Sequence, residues 1–406
     1  MFQMETSSAV SIIGAGPVGL YTALLLGQAG IETHVFEREA FVLQTPRAAA
    51  YFPITLNEFE KSGILDDVVN AGFKNTVGVS WRKPKCGGVL AYLGAGDSFA
   101  IHLGQHELAD IILKHLEKCA SVTVCWNTAF DRMEELEGTG QVKIMLSHGA
   151  DRVQQTHVSQ YVVGADGGKS AVRKMLDIPL EGFTWKDFTI IAANIEYDLE
   201  NQSDWGPASY VVDPNLWAVV AKTGKGCNWR VATGEKIVAG ATEDTWDEAE
   251  GTERMRRRIE AILPGDIDKV KIVKISPYSM HQRCVSTFRK GRVVLAGDAA
   301  HLTNPVGGLG LTTGILDAAF LGHLLKRILL EGESDALLDT YAAKRREAFI
   351  EHTSPMATAN RLRLSGTEPE VVTEREHYFK SINNMDMDFL INMVDSENKI
   401  SSTINL

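Results

Sequence analysis

At 406 residues the chain exceeds one ordinary compact domain and suits two. Its 44% hydrophobic and 23% charged residues fit a globular protein, and a net charge of −11 argues against a nucleic-acid partner. No apolar run reaches bilayer length, no signal-peptide or lipidation pattern is legible, and five scattered cysteines form neither a CxxC pair nor a zinc-like cluster; a cytoplasmic setting is the expectation.

The chain opens on a predicted strand, Ala9 to Ile13, followed at once by Gly14-Ala15-Gly16-Pro17-Val18-Gly19 and a helix to Ala29. A second strand, Glu32 to Phe36, ends in Glu37 and Arg38. This is a dinucleotide-binding pattern in its required context. Gly14 permits a tight turn, Gly16 lets backbone approach a pyrophosphate, and Gly19 lets helix and strand pack closely. An acid about 20 residues on reaches ribose hydroxyls. Pro46-Arg47-Ala48 then places an arginine within reach of the same pyrophosphate. Helical patterns run from Thr55 to Gly63, Ile64 to Ala71 and, after Gln105, His106 to Cys119. The β-like stretch Phe73 to Leu93 reads as an excursion from the first domain.

Strand patterns follow at Ser121 to Trp126, Gln141 to Leu146 and Arg152 to Gln160, the last two as a hairpin. Tyr161 to Ala165 is a further apolar strand, ending in Asp166-Gly167-Gly168 and a helix start that carries Arg173. Asp166 suits a helix cap there. From Phe183 to Cys284 short alternating runs predict an antiparallel sheet: Thr189 to Ile195, Ser209 to Val212, Trp217 to Ala221 and Trp229 to Thr233. Trp185, Trp205, Trp217 and Trp229 fall here and offer either a wall for a flat ligand or core. A helix from Glu253 and a strand from Lys271 to Ile275 follow.

Arg292 to Ala296 is a buried strand pattern. Gly297-Asp298 leaves a carboxylate at its end, and Asn304-Pro305-Val306-Gly307-Gly308-Leu309-Gly310 feeds a helix from about Leu311 to Leu330. A glycine loop before a helix N-terminus presents free N–H groups and a positive dipole end. Ala336 to Ile350 predicts another helix, which Pro355 is expected to stop; Arg361 to Leu406 is polar and partly helical.

Strand ends at 14, 166 and 298 imply one extended ligand across the carboxyl edge of a doubly wound sheet. A nicotinamide dinucleotide leaves the 291–311 stretch unexplained. A flavin dinucleotide accounts for it: adenosine at Gly14–Gly19 and Glu37, a ribityl chain at Asp298, and a reduced ring whose charge a helix N-terminus stabilises.

These three motifs resemble those of the FAD-dependent, para-hydroxybenzoate hydroxylase-like class A flavoprotein monooxygenases over residues 8–350. The Val306–Thr312 loop variant looks most like the fungal natural-product members. The resemblance implies an α/β fold: a Rossmann-like FAD-binding domain of glutathione-reductase type, an inserted β-sheet substrate domain and a helical C-terminus. Its expected division is FAD-binding at 1–75, 101–182 and 285–356, substrate domain at 76–100 and 183–284, and a helical segment at 357–406. It assigns Glu37 to the adenosine ribose, Gln105 to the adenosine side, Arg47 and Asp298 to the pyrophosphate and ribityl region, Leu309 and Gly310 to the flavin edge, and Pro305 to the site of oxygen chemistry. Asp166 and Arg173 mark a segment tied to FAD and NAD(P)H.

The implied reaction is NAD(P)H-driven hydroxylation of an electron-rich aromatic or enolic molecule with O2, through a flavin C4a-hydroperoxide, by a monomer or homodimer. Tyr210 and Arg230 are the candidates to face the substrate oxygen, and His281 and His301 the weaker bases; alternation alone leaves the inward face of the sheet open. An epoxidase, halogenase or reductase on the same scaffold, and a non-catalytic flavin binder, are the alternatives. The halogenase pattern Trp-x-Trp-x-Ile-Pro is absent.

Overall fold

The computed structural model describes residues 6–44, 49–201, 204–236 and 247–401. Arg47 lies outside them. The first sheet runs in the order Arg289–Lys290, Val293–Leu295, Val153–Gly164, Thr6–Ile13, Thr33–Phe36, Val122–Cys125. Its last five strands are mutually parallel. Their near-continuous apolar runs fit a sheet covered on both faces. Helix Pro17–Gln28 packs between this sheet and the long helix Leu309–Glu331, which is buried along most of its length.

The second sheet is predominantly antiparallel: His301–Leu302, Lys271–Val285, Leu180–Glu196, Asn228–Lys236, Ala218–Lys222, Ala208–Val211, Gly78–Arg82, Val89–Gly94. One pair, Ala208–Val211 with Gly78–Arg82, is parallel. Helix Glu248–Ile262 covers one face through Met255, Ile259 and Ile262, which pack on Ile195, Val220 and Val231. Period-2 geometry therefore turns the intervening residues to the other face, toward the first sheet.

Three expectations need correction. Val153–Gly164 is one strand, not a hairpin arm followed by a separate strand, and Thr128–Leu136, read as no element, pairs with Gln141–His148. The strands seeded at Thr189 and Lys271 extend to Leu180–Glu196 and Lys271–Val285, with register shifts that let them bend. Pro355 does not stop the chain. Helix Leu337–Ala348 passes through a π-turn at Phe349–Thr353 into helix Ser354–Ser365, where Pro355 sits in the first turn. The π-turn shifts the hydrogen-bond register, so the missing proline N–H falls where no partner is required.

The strand Thr6–Ile13 carries a pH-sensitive contact. His157 is buried, bonded to Thr6 Oγ1 at 2.7 Å and Ser8 Oγ at 2.9 Å, and lies beside His34. Burial, with His34 adding to it, lowers its pKa to about 4. The unfolded chain protonates this group near ~6.5, so below that value the unfolded state binds more protons and stability is lost as pH falls toward the folded value. Thermal melts of the wild type between neutral and mildly acidic pH should show that fall, and His157→Gln should flatten it. An equally steep profile in the variant contradicts the assignment.

Candidate active site

Four neighbouring strands of the first sheet end side by side. The chain leaves them at Gly14, Glu37, Ala165-Asp166 and Ala296-Gly297-Asp298, and backbone bonds Gly14 N to Phe36 O, Ala165 N to Ile13 O and Ala296 N to Gly164 O continue the ladder to its lip. Gly14 has φ +107°, and a Cβ there would lie 2.5 Å from Ala165 O. Gly16 differs: no atom lies within 4 Å of the Cβ it lacks, because that side opens on a cavity. Glu37 is fixed by accepting hydrogen bonds from Ala15 N at 2.7 Å and Glu39 N at 3.0 Å. Arg38 beside it is exposed and pairs with Glu39.

The cavity, of about 1820 Å³, is lined by Gly14, Gly16, Pro17, Glu37 and Arg38 at one end. Gln105, Asp166 and Asp298 follow, then Pro305, Gly308, Leu309 and Gly310. Gly19 lies behind the wall, its missing Cβ only 2.1 Å from Gly14 O. Asp166 caps helix Ala171–Met175 through Ser170 Oγ, Ala171 N and Val172 N while also facing the cavity. Arg173 points elsewhere: it is buried and donates to Ala299 O and Gly168 O, both at 3.1 Å, tying the second motif to the third. Gly308 is left-handed at φ +67° and caps helix Leu309–Glu331 without a side-chain bond. That helix start thus offers backbone donors to the cavity.

Asn304, the departure from a two-proline loop, forms its own turn. Its Oδ1 accepts from Val306 N at 3.0 Å, and Gln282 Oε1 accepts from Asn304 N and Nδ2 at 3.2 Å. Nothing in the sequence singled out Gln282.

The second sheet forms the opposite wall. Register aligns Trp81, Tyr210, Val219, Ala232, Ala192 and Ser276 across it, and a second row aligns Ala208, Ala221, Arg230, Asn194 and Lys274. Tyr210 and Arg230 therefore share the cavity face, the point alternation left open. Arg230 donates to Asn194 Oδ1 at 3.0 Å and bonds Tyr278. Burial raises the pKa of both Tyr210 and Tyr278, so both hydroxyls are donors at neutral pH. His281 lines the cavity and bonds Thr184 Oγ1 at 2.8 Å. His301 does not line it; it is locked against buried Asp317 at 2.7 Å. None of Trp185, Trp205, Trp217 and Trp229 lines the cavity, and the last three are core. The tryptophan this sheet gives the wall is Trp81, stacked on Tyr210 with ring centroids 5.7 Å apart.

The third wall comes from the C-terminal helices. Asn360 Nδ2 crowds Gly307, at 2.6 Å from the Cβ position. Arg363 donates to Asn360 at 2.7 Å and Glu374 at 2.8 Å, and lies 3.5 Å from the ring centre of Tyr378. Short-range sequence patterns carry no signal for these residues.

The volume exceeds the ~300–1,000 Å³ of a single drug-sized site, leaving room for a dinucleotide with a second ligand at its end. The open Gly16 side, the anchored Glu37 and the free helix start after Gly308 fit a dinucleotide. Among the described residues no group of three or more His, Cys, Asp or Glu is placed to hold a metal, and no helix is long and apolar enough to cross a membrane.

A family model described as an FAD binding domain matches residues 7–353. The chain is 35% identical over 384 residues to para-nitrophenol 4-monooxygenase of Pseudomonas sp. (strain WBC-3), covering 93% of this chain and 92% of that protein. It is 34% identical over 375 residues to 6-hydroxy-3-succinoylpyridine 3-monooxygenase HspB of Pseudomonas putida (strain DSM 28022 / S16), covering 90% and 91%. The crystal structure of p-nitrophenol 4-monooxygenase PnpA from Pseudomonas putida DLL-E4 matches with a TM-score of 0.88 at 34% identity, covering 98% of this chain and 99% of that one. With its fold, its dinucleotide cradle and these relatives in agreement, the chain belongs to the FAD-binding-domain family of class A flavin-dependent monooxygenases.

Proposed function

We propose that this monooxygenase uses NAD(P)H and O2 to hydroxylate an electron-rich aromatic or enolic small molecule, of which a single-ring phenol is the best candidate. One observation carries the reading: a single cavity joins the dinucleotide cradle to a sheet face bearing Tyr210 and Arg230, with the Pro305–Gly310 loop between them. The para-nitrophenol 4-monooxygenase relative supports a phenol of that size. A fungal natural-product role rests on the Val306–Thr312 loop variant alone, whereas the relatives quoted are bacterial.

Glu37 would hold the adenosine ribose. Gly14 and Gly16 would admit the pyrophosphate, with Gln105 and Asp298 holding the chain beyond it and Asp166 beside it. The N–H groups of Leu309 and Gly310 would meet the ring edge. Bound FAD, reduced by NAD(P)H, would supply the two electrons that activate O2, one oxygen atom going to the substrate and the other leaving as water. Arg230, held by Asn194 and Tyr278, would stabilise the negative oxygen of an activated phenol or enol, and Tyr210 would donate a hydrogen bond to the same oxygen. Trp81 and Val219 would exclude water from the ring faces. The division at 1–75, 76–100, 101–182, 183–284, 285–356 and 357–406 and a cytoplasmic setting complete the reading.

The test is anaerobic addition of NADPH, then NADH, to the FAD-loaded protein, following flavin absorbance with and without a panel of phenols and cyclic β-dicarbonyls. Bleaching that a phenol accelerates is expected; flavin that neither nucleotide bleaches under any condition contradicts the reading. Arg230→Ala should retain FAD and lose roughly 100-fold in kcat/KM. Full turnover in that variant removes Arg230 from the reaction.

A further inference from the structure

The last helix, Met387–Ser401, presents two different sides. Met387, Ile391 and Val394 are exposed, whereas Phe389, Met393 and Glu397, spaced four residues apart on one face, line the cavity. The helix is held in that orientation at both ends. Near its start, Phe389 packs edge-on against Tyr378 at 5.3 Å, and the Tyr378 hydroxyl reaches Met393 Sδ at 3.6 Å. Near its end, Arg345 Nη1 donates to Ile400 O at 2.8 Å. Glu397 is thereby carried to the end of the cavity occupied by Tyr210 and Tyr378. Among the described residues its carboxyl has no hydrogen-bond or ion-pair partner, and burial raises its pKa. The cation at this end, Arg363, is already engaged by Glu374 and Asn360.

A half-buried carboxyl that faces the cavity without a protein partner is an acceptor awaiting a donor. We propose that Glu397 is a specificity-determining residue that accepts a hydrogen bond from the hydroxyl of a neutral hydroxyarene substrate, so that the last helix selects phenols over their ethers and over aromatic carboxylates. An ether brings no donor and leaves Glu397 unsatisfied. A carboxylate meets Glu397 and Glu374 with the charge of Arg363 already answered. This selection rests on the proposed phenol hydroxylation and names the feature of the substrate it reads.

The probes are 4-methylphenol, whose hydroxyl stays protonated at neutral pH, 4-methylanisole and 4-methylbenzoate. Each is titrated calorimetrically into the FAD-loaded protein without NAD(P)H. The wild type should bind the phenol roughly tenfold or more tighter than the ether and the carboxylate. Glu397→Ala should bring the phenol-to-ether ratio close to one. Glu397→Gln, whose amide oxygen still accepts, should keep part of that preference and relax the bar to the carboxylate. FAD content and melting temperature serve as folding controls and should hold in both variants. A wild type without preference, or an alanine variant that keeps it, overturns the proposal. Failure of the hydroxylase reading is separate, appearing as wild-type protein whose NAD(P)H oxidation no phenol stimulates.

Discussion

Asp317→Asn should destabilise the fold by about 3–5 kcal/mol and weaken FAD retention with it. Asp317 is completely buried in helix Leu309–Glu331. One carboxylate oxygen accepts from Gly297 N at 2.9 Å and His301 Nε2 at 2.7 Å; the other accepts from Arg345 Nε at 2.6 Å. Burial alone would raise its pKa, but His301 and Arg345 beside it outweigh that and hold the group ionised. An amide of the same shape removes the charge while Arg345 stays buried, and an uncompensated buried cation costs more than the pair itself contributes. The functional consequence follows from Gly297. Its N–H bond to Asp317 sets the turn that presents Asp298 to the cavity, so loosening that turn would disturb the end of the cavity proposed to hold the cofactor. Denaturant melts of the apoprotein and FAD content after purification measure both effects. An unchanged midpoint in Asp317→Asn would show that the network is not what holds this turn.

The two glycines of the first motif should fail in different ways. A Cβ at Gly19 would sit 2.1 Å from Gly14 O and 3.3 Å from Ile12 Cγ2. No rotamer relieves a clash made by Cβ itself, so helix Pro17–Gln28 must move off the strand it packs on. Overpacking of this kind costs about 1–3 kcal/mol, and Gly19→Ala should lower both apoprotein stability and FAD affinity. At Gly16 the same methyl meets no protein atom within 4 Å. Gly16→Ala should leave the apoprotein melt unchanged and lower FAD affinity at least tenfold, about 1.4 kcal/mol, because the methyl would occupy the space proposed for the pyrophosphate. Flavin fluorescence titration beside apoprotein melts separates the two. Equal stability loss in both variants, or undiminished FAD affinity in Gly16→Ala, contradicts the cradle as described.

What was legible in the sequence was whatever a local backbone requirement writes into adjacent residues. Gly14 to Gly19, Asp166 and Gly297 to Gly310 each combine a strand end, a turn and a helix start within a few positions. Four parallel strands then bring those segments to one edge, as the reading of one shared ligand anticipated. The wall formed by the second sheet was less legible because Tyr210 and Arg230 sit in alternating strands whose inward face depends on helix Glu248–Ile262 covering the other side, a long-range fact. The tryptophans were ambiguous for the same reason: strand spacing left Trp217 and Trp229 open to wall or core, and they fill core, while Trp81, from the excursion, lines the wall. His301 resembled a base in its motif but is consumed by Asp317, 16 residues away. Asn360, Arg363, Tyr378 and Glu397 reach the cavity only because a π-turn carries the helix through Pro355 instead of ending it there. No short pattern encodes that path.

The central claim, that this chain inserts one atom of O2 into a bound aromatic or enolic ligand, is tested most directly by turnover under 18O2. The FAD-loaded protein is supplied with NAD(P)H and with whichever phenol or β-dicarbonyl accelerates flavin bleaching, and the product mass is read beside nucleotide consumption. The account predicts a hydroxylated product carrying a single 18O atom, formed with one nucleotide oxidised for each coupled turnover. An unlabelled product, or nucleotide oxidation that yields only hydrogen peroxide with every ligand that speeds bleaching, contradicts it.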